Sequence, residues 1–146
     1  PSPPPVATVV AAVVTSTVAA AAGVTAAASA LVSGIQNAKT ISVGLDDNDR
    51  SHTCTTLDNG SAMCWGYNGY GKLGDGSTTS RYTPVNVYGL NNVKSISTGQ
   101  KHTCAALDNG SAMCWGSNGS GQIGNDSTVK STTASNVLDL NNIRLP

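Results

Sequence analysis

The phrase HTCTTLDNGSAMCWG, His52 to Gly66, returns fifty residues later as HTCAALDNGSAMCWG, His102 to Gly116. Across His52–Thr78 and His102–Thr128, 19 of 27 positions are identical. The match extends upstream, where GIQNAKTISVG (Gly34–Gly44) aligns with GLNNVKSISTG (Gly89–Gly99). LNNIRLP (Leu140–Pro146) opens a third copy, and the first copy carries LDDNDRS ahead of its histidine where the second has only QK, a net insertion of five residues. Self-similarity at about fifty residues marks an array, in which each unit is one supersecondary motif that buries its faces only against neighbours.

Within a unit, KSIS alternates polar and apolar residues and ends at Gly99, as a short strand does. HTCAAL and SAMCWG read as two more strands joined by Asp108, Asn109 and Gly110, and TPVNV and TASNV supply a fourth. The expected fold is mainly β: two four-stranded antiparallel blades, over 34–88 and 89–138, with 139–146 starting a third repeat. A three-residue loop built as a type I turn plus a left-handed glycine sets Leu107 opposite Ser111, Ala105 opposite Met113 and Cys104 opposite Cys114. A two-residue Asn-Gly turn would instead set Cys104 against Trp115. The three-residue register sorts Leu107, Met113, Trp115 and Ala105 onto one face, with Cys104, Cys114, His102 and Ala112 on the other. In the first copy Leu57, Met63 and Trp65 share a face, as do Cys54, Cys64 and His52.

That register favours disulfides Cys54–Cys64 and Cys104–Cys114, since opposed strand residues lie about 4.5–5.5 Å apart, a span a disulfide accepts. Structural zinc remains a weaker alternative, because nine residues separate the cysteines of each pair where close Cys-x-x-Cys spacing is usual; a mixed site would add His52. Redox catalysis prefers Cys-x-x-Cys near a helix N-terminus, which this chain lacks. His52 and His102 read as strand residues bonded to backbone. Asp46–Ser51 concentrates oxygen ligands but lacks the spacing of a calcium loop, so an exposed acidic turn is expected. No nucleophile motif, phosphate loop or acid–base pair is present, so no catalytic residue, metal or cofactor is assigned and no enzyme activity is expected.

The string HTCxxLDNGSAMCWGxNGxGxxGxxST, with GLNNVKSISTG following, resembles the repeat of the regulator of chromosome condensation family, and within it the cysteine-bearing variety of secreted and surface proteins. The likeness covers Gly34 to Pro146. It implies propeller-type blades, usually seven to a closed β-propeller, often serving protein–protein contacts. The family's nuclear founding member exchanges nucleotide on Ran and binds chromatin. That role is not carried over, because this chain lacks its charged surface and its paired cysteines suit oxidising conditions.

Ahead of the repeats stand a proline-rich spacer, PSPPP (1–5), and an apolar segment (6–33) of Ala, Val, Thr, Ser and one Leu, expected to be helical. Such a helix is long enough to cross a membrane, so Val6–Ser33 offers a membrane contact; its small residues equally suit close packing in an assembly. The spacer resembles green-algal surface proteins whose proline-serine stretches are hydroxylated and glycosylated, making Ser2, Pro3, Pro4 and Pro5 candidate modification sites. Asn59, Asn109, Asn118 and Asn125 each begin an Asn-x-Ser sequon. For Asn59 and Asn109, the turn alone accounts for Asn-Gly.

Eight basic and eight acidic residues give zero net charge, so no nucleic-acid partner is expected. Two blades cannot close a propeller. The expected function is therefore a non-enzymatic structural subunit or repeat module of a secreted or cell-surface assembly, stacked on copies of itself or on neighbouring repeats of a longer chain. Contacts that do not close would give an extracellular filament. The alternative is a protein- or glycan-binding module of adhesin, receptor or inhibitor type, tethered through Val6–Ser33.

Overall fold

A computed structural model describes residues 32–139. The proline-rich spacer with Ser2, Pro3, Pro4 and Pro5, the apolar segment up to residue 31 and the repeat start from Leu140 lie outside the described residues.

Each repeat folds as four consecutive strands. The first contains β1 (Ala38–Leu45), β2 (Ser51–Leu57), β3 (Ala62–Gly66) and β4 (Arg81–Asn86). The second contains β5 (Val93–Thr98), β6 (His102–Leu107), β7 (Ala112–Gly116) and β8 (Ser131–Asn136). The sheet orders are β1-β2-β3-β4 and β5-β6-β7-β8, with every pair antiparallel. The fold is thus two antiparallel blades of mainly β structure.

The turn chemistry sets the register. The Leu57 amide bonds the Ser61 carbonyl at 2.9 Å and the Gly60 amide bonds the Leu57 carbonyl at 3.0 Å, a geometry repeated by Leu107, Ser111 and Gly110. Gly60 and Gly110 take the left-handed position, at φ 83° and 86°. Asn59 Oδ1 accepts from the Ser61 amide at 3.0 Å and holds each tip rigid, as Asn109 does for Ser111. Counting from the tip, Cys54 meets Cys64 and Cys104 meets Cys114. Both are non-hydrogen-bonded pairs, the closer kind, with Cα atoms 4.1 Å apart.

The core lies between the blades. Cys54, Cys64 and Ala62 of the first pack with Val93, Ala105 and Trp115 of the second, joined by Leu73, Val87 and Leu90. Trp115 is completely buried, whereas its counterpart Trp65, on the outer face of the first blade, is only half-buried. Position in the stack, not residue type, decides how far each tryptophan is covered.

The insertion lengthens β1 beyond β5 and closes as a tight turn in which Asp46 and Arg50 pair through their main chains. The turn differs from the exposed acidic loop expected. Asp47, Asn48 and Asp49 are exposed, but Asp46 is buried. Its carboxylate accepts the amides of Asn48 and Arg50 and the Arg50 guanidinium at 2.9–3.0 Å. Burial raises its pKa, but these bonds and charges outweigh that and leave it below the usual carboxylate range.

Candidate functional site

The chemistry that distinguishes this molecule is concentrated at the joint between the blades, around one main-chain carbonyl. Lys72 O, in the loop after β3, accepts the Trp115 indole N–H at 2.9 Å and the Thr103 hydroxyl at 2.8 Å. Since Thr103 donates there, its oxygen accepts from His52 Nε2–H at 2.9 Å. The chain of bonds therefore runs from β2 of one blade through β6 of the next into the loop of the first. Further along the seam, the Gly76 amide donates to Thr132 O at 2.9 Å and the Val93 amide donates to Gly60 O at 2.9 Å. Nearer β1, Ser42 Oγ and Thr98 Oγ1 lie 2.8 Å apart.

The histidines differ from the backbone-bonded strand residues expected. His52 is 1% exposed and bonds a side chain of the neighbouring blade, while its Nδ1 has no partner. Burial, with the Lys72 charge nearby, pushes its pKa down to about 3. His102, on the uncovered face of the second blade, is half-buried and less affected, its pKa also lowered by burial. Lys72 itself is buried, with Nζ donating to Gln100 O at 3.1 Å and lying 5.0 Å from the centroid of the Tyr67 ring. Arg50 stacks on the same ring at 4.3 Å and bonds the Tyr67 hydroxyl. The insertion thus braces the joint from one end, where Gln100 also donates to Asp47 at 3.2 Å.

All four cysteines are in disulfides, Cys54–Cys64 and Cys104–Cys114. The first is fully buried in the joint, so it clips the strand pair that presents His52. Among the described residues, no group of three or more His, Cys, Asp or Glu gathers as metal ligands. On the chain-entropy estimate each short disulfide contributes about 2–3 kcal/mol. Free-thiol titration of the native protein should therefore find no reactive thiol. Urea unfolding with reductant should give a clearly lower midpoint than without it.

The four sequons occupy different environments. Asn59 and Asn109 are exposed at the hairpin tips and Asn125 is half-buried. Asn118 is 1% exposed and its amide is fully engaged. Its Nδ2 reaches the Ser127 carbonyl at 2.9 Å and the Val129 carbonyl at 3.0 Å, and its Oδ1 accepts the Ile123 amide at 3.0 Å. Asn68 does the same in the first blade, reaching the Ser77 and Thr79 carbonyls, each at 3.0 Å, and accepting the Leu73 amide at 3.0 Å. Asn68 fixes the loop that presents the Lys72 carbonyl and Asn118 the equivalent loop around Gln122, a role the sequence signals only through the repetition of Asn-Gly after Trp-Gly. A glycan on Asn118 would displace these bonds. Asn68→Ala leaves buried amides and carbonyls without partners and should cost about 1–3 kcal/mol or more, read from denaturation midpoints.

Stacked four-stranded blades, each with a hairpin staple and an asparagine-braced loop, define a β-propeller-type repeat protein. Within them, residues 59–106 and 93–122 match family models of the Regulator of chromosome condensation (RCC1) repeat. Among solved structures, Prp20p from Saccharomyces cerevisiae is similar at 17% identity and TM-score 0.60, covering 74% of this chain and 27% of that one. Human WBSCR16 is similar at 21% identity and TM-score 0.62, over 75% and 28% of the two chains. Yeast RCC1 (Prp20), solved with Kap60, is similar at 22% and 0.59, over 81% and 26%. The chain spans about a quarter of the length of these structures, and the likeness concerns the fold. No curated protein matches the chain.

Proposed function

We infer that this protein is a non-enzymatic structural repeat module of a secreted or cell-surface assembly, built by stacking disulfide-stapled blades. The observation that carries the reading is the joint. It is made of hydrogen bonds and packing between repeated elements, and its polar groups serve one another rather than facing a cleft. The two disulfides support an oxidising compartment. An extracellular filament is the form such stacking takes when it does not close. The neutral surface gives no support for the histone and Gsp1p binding described for Prp20p. Electron microscopy of native material from the medium or cell envelope tests the reading. Ordered assemblies containing this chain are expected, and recovery solely as reduced intracellular protein would overturn it.

A second reading, a protein- or glycan-binding module, is favoured by one feature. A cavity of about 340 Å³ is lined by Tyr88, Asp75, Asn86, Arg81, Pro84 and Met63, among others. An aromatic ring beside amide and carboxylate groups suits a sugar, and glycan-array binding lost in Tyr88→Ala would support this alternative.

A further inference from the structure

The joint between the blades is written in a repeated sequence, so each half of it occurs twice. One half is the loop of the first blade: Gly71, the Lys72 carbonyl and the Gly76 amide. Its counterparts in the second blade, fifty positions on, are Gly121, the Gln122 carbonyl and the Asp126 amide. The other half is the face of the second blade: Thr103, Trp115 and Thr132. Its counterparts in the first blade are Thr53, Trp65 and Tyr82. In the described residues one copy of each half is engaged, while the other makes no such cross-blade bond, with Thr53 buried and Trp65 half-buried in its own blade. The Trp65 indole and the Thr53 hydroxyl have no hydrogen bond among these residues, while their counterparts share Lys72 O.

The two unengaged halves are shaped for each other. A Cβ on Gly71 would come within 2.9 Å of Thr132 Cγ2, so the joint fits tightly there, whereas a Cβ on Gly121 meets nothing within 4 Å. Where Thr132 seats on the first blade, the second offers a shallow hollow, largely open to solvent, lined by Gly121, Asp126, Ser127, Thr128 and Val129. At the position of Thr132, the first blade projects Tyr82, which is 99% exposed. A large ring fully in water on one face thus matches an unfilled hollow on the other, with the same backbone partners around each.

We propose that a second copy of this chain completes the joint head to tail, Tyr82 of one copy entering the Gly121–Val129 hollow of the next and Gln122 O accepting the Trp65 indole N–H. The contact is heterologous, so copies add until the rotation per copy closes a ring, or continue as a filament where it does not. This rests on the stacked-blade reading and adds its partner and its contact residues.

Sedimentation of the full chain over a wide concentration range tests it, with two variants. Tyr82→Glu changes a fully exposed residue and sets a carboxylate against Asp126. Gly121→Asn keeps a residue that tolerates positive φ and faces open space in its own chain, but fills the hollow. Wild type is expected to give a concentration-dependent series of oligomers. Each variant alone should associate at least about tenfold more weakly. Each variant retains one good half, so an equimolar mixture should form 1:1 heterodimers that go no further. Monomeric wild type at all concentrations, or variants that associate as wild type does, would overturn the proposal. Assemblies seen in native material with a monomeric isolated chain would locate the fault in the choice of partner, leaving the stacked-blade reading intact.

Discussion

Trp115→Ala is expected to destabilise the protein by about 3–5 kcal/mol, the range for truncating a fully buried large aromatic. The side chain is completely enclosed by the joint, and its N–H is one of two donors to the Lys72 carbonyl. The indole is the only large ring in the core cluster, so neighbouring side chains of the size of Ala105 and Val93 cannot refill its space. The same change at Trp65 removes a half-buried ring with no such bond and should cost clearly less. Chemical denaturation of both variants measures the difference. Equal losses would show that the blades contribute alike and that the joint is not the core.

The second large effect is acid lability centred on His52. Its folded pKa is about 3 against 6.5 for the free side chain. Between those values the unfolded chain binds a proton that the folded one refuses. The stability this group contributes is therefore fully present above pH 6.5 and is lost as pH falls toward 3, at about 1.4 kcal/mol per unit. The whole window amounts to about 4–5 kcal/mol, much of a typical domain's stability. Burial is the main cause and the nearby Lys72 charge adds to it, with His102 acting in the same direction and Asp46 opposing. His52→Gln keeps an N–H donor for Thr103 and removes the titration. Its stability should be flatter than wild type between pH 6.5 and about 5, above the range in which the carboxylates begin to protonate. Parallel curves for the two proteins would assign the acid sensitivity elsewhere.

Much of the blade was legible in the sequence because its determinants are local. Asp58-Asn59-Gly60 selects one turn, the turn selects the register, and the register places Cys54 against Cys64 without reference to anything distant. The fourth strand could be placed from TPVNV and TASNV for the same reason. What escaped was set by neighbours. Cys54, Cys64 and His52 share a face, but only the presence of a second blade makes that face the more deeply buried one. Asn118 reads as a surface sequon because its three-residue pattern carries no information about Ser127 and Val129, whose carbonyls enclose it. Asp46 reads as exposed because it sits among four other polar residues, yet its turn folds it inward against backbone amides.

The acceptor at the centre of the joint is a peptide carbonyl, and its side chain is lysine in one repeat and glutamine in the other. The linkage itself asks for a backbone path, since the atom that accepts both donors is present whatever the side chain. A duplicated first repeat inserted between these two would set Tyr82 against the Gly71 loop, where Thr132 now fits tightly, so the new seam asks for a smaller residue at that position. Chain length in such a protein can change by whole blades once that one position is matched to the loop it meets, and an engineered array of chosen length has to set it at each seam.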